Sequence, residues 1–175
     1  MRHSRTSGLA ATILLAMVTA PVFAADKPSD PQIAHIAYTA GDIDIKTAEL
    51  ALAKSKNESV VEFANGMVRD HKAVNDLALA LVKKLSVAPE DNDTSKGLVK
   101  QADEKRAELA KLSGAAFDKA YADNEVAYHK TVNGALETLL IPSASNGELK
   151  NLLETGLKIF KGHEQHAEQV AAKLH

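Results

Sequence analysis

Glu125 and His129 stand four residues apart in "NEVAYH", and His163 and His166 stand three apart in "GHEQH". On a helix either spacing places two donor groups on one face, one turn apart, which suits chelation of one ion or of two neighbours. Two more residues join them. Counting from Val60 in alternating steps of four and three gives Ala64, Met67, His71, Val74, Ala78 and Leu81, a narrow apolar seam with an imidazole in its middle. Asp44 falls in the same way among Ala37, Ala40, Thr47 and Ala51. A polar group in an apolar seam costs free energy unless something partners it. Imidazole nitrogen and carboxylate oxygen are the donors that divalent transition ions such as Fe, Mn, Zn, Cu or Ni accept, and the ion's charge offsets carboxylate desolvation. The candidate ligand set is therefore Asp44, His71, Glu125, His129 and His163.

The same residues have a metal-free reading. Asp44 could pair with His71, and Glu125 with His129 or His163, in a buried hydrogen-bonded network that sets helix register. Asn75 and Asn124 are candidate hydrogen-bond partners, and Tyr121 and Tyr128 read as core. Asp70, about 100° round the helix from His71, reads as a solvated charge, and His35, His166 and His175 as surface or edge residues. Met67 and His71 share a face and could not ligate a haem iron from opposite sides. No nucleophile motif of the Gly-x-Ser-x-Gly kind occurs, so the chain is not read as an enzyme and no catalytic residue is assigned.

Helical periodicity dominates after Asp30. A first helix is expected over about 31–54, opened by Asp30 as N-cap and Pro31 at the first helical position. A second is expected over about 58–86, after "SKNES", where Ser55 with Glu58 or Asn57 alone could cap. The charged "SKGLVKQADEKRAELAKLSG" has only a thin apolar edge and reads as a surface helix; about 18 residues at 1.5 Å each return the chain some 27 Å along the body. A third core helix over about 115–140 presents Tyr121, Glu125, Tyr128, Val132, Ala135 and Leu139, with His129 beside that stripe. A fourth over about 147–174, with Ser145 and Glu148 spaced as a capping box, presents Leu149, Leu152, Gly156, His163, Ala167, Val170 and Leu174. The fold class is thus all-α: a four-helix bundle with a crossover helix between helices 2 and 3, the ferritin-like connection. Measured from the connecting turns, the acid and imidazole positions fall at heights that agree within roughly 9 Å, so convergence is geometrically permitted.

Composition narrows the partners. Residues 1–24 carry a short basic stretch, the apolar run "LAATILLAMVTA" and a Val22-x-Ala24 ending, the pattern of a secretory signal peptide cleaved after Ala24. The mature domain would then be residues 25–175, in the periplasm or secreted, with no transmembrane segment. The absence of cysteine excludes disulfides, thiolate metal sites and lipidation of an N-terminal cysteine. With 21 basic and 23 acidic residues and no polybasic stretch, nucleic acid is excluded as a partner. An envelope protein or a second copy of the chain remains open.

The strings "FANGMVRDH", "AAFDKAYADNEVAYH" and "LLETGLKIFKGHEQHAEQV" resemble the DUF4142 family, across residues 33 to 174. That resemblance implies a ferritin-like bundle exported to the bacterial envelope, with no established biochemical function. It also implies that recurring family histidines map onto His71, His129 and His163, and a first-helix acid onto Asp44. Many members open the first helix with Gly-x-x-Glu where this chain has "AGDIDIK", a shorter acid. Family members often carry an outer-membrane label, but a cysteine-free helical chain has neither lipid anchor nor barrel strands, which favours the soluble periplasm.

Overall fold

The computed structural model describes residues 27–174, and the expected leader and His175 lie outside the described residues. Helix α1 spans Asp30–Lys54, α2 Glu58–Lys84, α3 Asp93–Ala110, α4 Gly114–Ala135 and α5 Gly147–Lys173. Between α4 and α5 the chain continues through a π-helical turn, Leu136–Leu140, and a last helical turn, Ile141–Ser143. No strand occurs among the described residues, so the all-helical bundle expected from periodicity is the architecture found. Helix α1 packs along α2, α4 packs along α5, and α2 also meets α5. Helix α3 lies against α1 and α4 and buries only Ser95 and Leu109, as its thin apolar edge implies.

The helix starts show which competing caps prevail. Ser29, not Asp30, caps α1, through a reciprocal box with Gln32. Asp30 is thereby freed to accept hydrogen bonds at 2.8 Å from the backbone N–H groups of Ser145 and Asn146, fastening the turn before α5 to the start of α1. Asn57 caps α2, and Asn146, rather than Ser145, caps α5; each accepts from the two N–H groups that follow within three residues. Helix α2 stops at Lys84, two residues early, because Ser86 adopts a left-handed conformation with φ 54°. Its neighbour Val87 donates to the Val82 carbonyl at 3.0 Å, the six-to-one bond of a Schellman ending. At the end of α4, Pro142 has no N–H to donate, and the helix ends at Ser143.

Two apolar clusters fill the bundle. One gathers Ala48, Ala51, Val60, Phe63, Ala64, Met67, Phe117, Tyr121, Ala167 and Val170 at the end where α1 gives way to α2. The other gathers Ile33, Ile36, Leu136, Leu140, Leu149 and Leu153 at the opposite end. Between them runs a layer of buried polar side chains: Asp44, His71, Glu125, His129 and His163.

Candidate metal centre

The polar layer is assembled by one turn of each long helix. Asp44 on α1 is 2 % exposed, His71 on α2 is 2 %, and Glu125 and His129 on α4 are each 1 % exposed. His163 on α5 lies at the edge of the layer, with 9 % exposure. All five residues expected from the sequence are therefore buried and share one level of the bundle. Nitrogens of His71, His129 and His163 lie within 4.8 Å of one another, as do donor atoms of Asp44, Glu125 and His129. Ligands held at about 2.0–2.2 Å from one ion stand at most about 4.4 Å apart, so both groups sit close to a coordinating spread. His129 belongs to both, linking an all-imidazole group to a carboxylate-rich one.

The hydrogen bonds indicate which nitrogens are available. His129 Nδ1–H donates to the Glu125 carbonyl at 2.9 Å, which leaves the Nε2 lone pair facing Asp44 Oδ2 at 4.0 Å. His163 Nε2–H donates to Asp70 Oδ2 at 3.0 Å, leaving Nδ1. His71 Nε2 stands 3.4 Å from Asp44 Oδ2 but makes no hydrogen bond there, and its Nδ1 makes none either. Thus His71 Nδ1 and Nε2, His129 Nε2, His163 Nδ1 and Glu125 Oε2 are all buried without a partner. Buried polar atoms of native proteins are almost always paired. Since a neutral His71 keeps one N–H, the layer offers four unpartnered lone-pair atoms, of the nitrogen and oxygen types that transition metals accept.

Electrostatics point the same way. Burial pushes the Asp44 carboxyl well above its usual range, and the neighbouring Glu125 pushes it further. Burial raises Glu125 from 4.5 to about 7, with the Asn124 amide and the neighbouring Asp44 opposing it. Ionising both acids so close together and so deeply buried is costly unless a cation offsets the charge. Burial also lowers His129 from 6.5 to about 4, and His71 well below its usual value, with the other imidazoles adding to the effect. Neutral imidazole is the form that coordinates metals. Tyr121, 0 % exposed with an unpartnered hydroxyl, is raised chiefly by burial and then by the charges of Glu125 and Asp44.

Several details depart from or add to the sequence reading. Asp70 is not simply solvated: the side chain, 27 % exposed, is gripped by Arg69 at 2.7 and 3.0 Å while it accepts from His163. The offset of about 100° that suggested solvent instead turns Asp70 toward α5, where α2 and α5 pack. A carboxylate that holds the far nitrogen of a histidine fixes its ring and makes it a better ligand. On α4 the buried stripe is Tyr121, Glu125, His129, Asn133, Leu136 and Leu140, so His129 is its centre, while Leu139 is 41 % exposed. Weighting apolar residues rotates the expected stripe away from the polar ones that the fold buries. On α5 the buried residue is Leu153, with Leu152 only half-buried. Finally, Phe160 stacks on His71 with ring centroids 4.6 Å apart and planes 7° apart.

Of the two asparagines, Asn124 donates to Glu125 Oε1 at 3.3 Å, as expected of a ligand's support. Asn75 instead donates to the Tyr38 carbonyl at 3.3 Å. Tyr128 donates to the Ala40 carbonyl at 3.1 Å, tying α4 to α1 one turn before Asp44. His166 is half-buried, edge-on to Phe63 at 5.1 Å, and takes no part in the centre. His35 is half-buried too, with a buried Nδ1 that has no partner.

Comparison with known proteins gives the lineage. No curated protein matches the chain. A DUF305 protein from Streptomyces coelicolor, described as a candidate secreted protein, has a similar structure: TM-score 0.71 at 10 % identity, covering 83 % of this chain and 93 % of that one. At that identity the likeness shows the fold alone. The model for the domain of unknown function DUF4142 matches residues 17–170, and the chain with its buried acid–imidazole layer belongs to the DUF4142 family.

Proposed function

We propose that this protein is an exported, ferritin-like bundle that binds one or two divalent transition-metal ions in its core, through Asp44, His71, Glu125, His129 and His163. One observation carries the reading: buried atoms without hydrogen-bond partners on His71, His129, His163 and Glu125, four of them able to offer a lone pair at once, lie at one level with the acid of α1. His71, His129 and His163 would supply nitrogens, while Asp44 and Glu125 would supply oxygens and balance charge. The ion would bring Lewis-acid or redox chemistry; the chain would hold neutral imidazoles and release carboxyl protons as the ion binds. The ferritin-like assignment rests on the short α1–α2 and α4–α5 turns with α3 as the long return. Export rests on the leader-like residues 1–24. No helix among the described residues is long and apolar enough to cross a membrane.

Metal analysis of the native protein, with thermal shifts on adding Fe, Mn, Zn, Cu or Ni, tests this directly. A bound ion must raise stability by mass action. Metal-free protein that gains no stability with any of the five ions would eliminate the reading. A buried network without metal would then remain, supported by the His163–Asp70 and His129–Glu125 hydrogen bonds. That network leaves the opposite nitrogens of both rings unused, which is why the metal reading is preferred.

A further inference from the structure

On the α5 N-terminal side of the polar layer the bundle is not filled. A largely enclosed space of about 240 Å³ lies among α1, α2, α4 and α5 with the start of α3 at its rim, walled by residues that include Ala37, Ala78, Ala135, Leu153 and Phe160. None of its lining side chains is charged, and the Asn75 amide at its border is committed to the Tyr38 carbonyl. Protein interiors keep few voids larger than a water molecule, and apolar ones stay dry. Two features hold this one open. The π-helical turn, Leu136–Leu140, contributes Leu136, Leu139 and Leu140 to the wall, and such turns concentrate at functional sites. Gly156 lets Phe160 lie close against α5, since a Cβ there would stand 3.2 Å from the ring.

We propose that this space is a binding site for a small, uncharged, hydrocarbon-like molecule. The absence of charge in the wall excludes ionic ligands, which could not recover their lost hydration. An apolar cavity of about 150 Å³ holds benzene, so the present space accommodates a molecule of roughly eight to ten carbons. Leu139 and Thr131 line the space and are exposed, so it reaches the surface on the α4 side. Its occupant would sit against Phe160, whose ring is stacked on His71. Binding in this space does not depend on the metal reading, and it is tested on chelator-treated protein so that the two fail separately.

Naphthalene is the probe, its binding followed by its own fluorescence and by methyl NMR shifts of the labelled chain. One molecule should bind per chain, raise the thermal midpoint and shift methyls of Val82, Leu136 and Leu153. Ala78→Phe and, separately, Ala135→Phe should weaken binding at least tenfold while the chain stays folded. Naphthalene-2-sulfonate should bind at least tenfold more weakly than naphthalene. Binding that survives both filling variants, equal binding of the sulfonate, or shifts confined to other residues would overturn the proposal. Loss of binding in a chain retaining residues 1–24 would assign the space to the apolar leader and overturn it equally.

Discussion

Replacing Glu125 by glutamine should stabilise the metal-free protein and weaken its hold on metal, and the two effects can be separated by pH. The Glu125 carboxyl is raised from 4.5 to about 7 by burial, so the fold favours its protonated form. A group raised in this direction supports folding fully below pH 4.5, and the support is lost as pH rises through about 7. At pH 8 the folded chain bears a buried carboxylate at a cost of about 3 kcal/mol relative to the unfolded chain. Glutamine keeps the shape, can still accept from Asn124, and carries no charge. In a domain of about 150 residues, about 3 kcal/mol corresponds to a rise of about 6–12 °C in thermal midpoint. Thermal melts of chelator-treated wild type and Glu125→Gln at pH 4 and pH 8 are the assay. Near-equal midpoints at pH 4 and a higher midpoint for the variant at pH 8 are expected, together with a smaller metal-induced shift. A variant destabilised equally at both pH values would refute the reasoning, since Glu125 would then be a satisfied structural anchor.

Other perturbations follow from the same geometry. The burial that lowers His129 from 6.5 to about 4 contributes stability above pH 6.5 that is lost as pH falls through about 4. In acid titrations of the metal-free chain, the advantage of wild type over His129→Asn should therefore shrink by about 3 kcal/mol between pH 7 and pH 4. Asp70→Ala removes the acceptor that orients His163, and should lower metal affinity about 10–100-fold in competition titrations with little change in metal-free stability. Ser86→Gly relieves a left-handed serine at the end of α2, and chemical denaturation should show a gain of about 1 kcal/mol. At Gly41, an alanine Cβ would stand 2.5 Å from Asn75 Oδ1, so Gly41→Ala should cost about 1–2 kcal/mol by breaking the Asn75–Tyr38 bond.

The helices were legible because their seams repeat at the helical period and their ends carry strong stop signals. Which residue caps was harder to read: Ser29 and Asp30 are both good N-caps, and the choice falls to Ser29 because Asp30 is drawn to the distant turn before α5. The candidate ligands were legible for a related reason, since an acid or imidazole inside an apolar seam interrupts a pattern. Asp70 and Asn133 interrupt nothing, being polar at positions where a helix surface is ordinarily polar, and only the packing of α5 gives them roles. Asn133 donates to Glu164 of α5 at 2.7 Å, a contact across 31 residues that no local spacing encodes. The cavity was equally hidden, because alanines at 37, 78 and 135 read as good helix formers rather than as space withheld.

The order of the helices gives the polar layer a mechanical meaning. Asp44 and His71 belong to one hairpin, α1 with α2; Glu125, His129 and His163 belong to the other, α4 with α5. The peptide chain joins these hairpins only through the α3 segment, while donors from both reach across the seam. An ion bound there would act as a clasp between two leaves, so loading would govern how far the leaves part as well as how tightly each is folded.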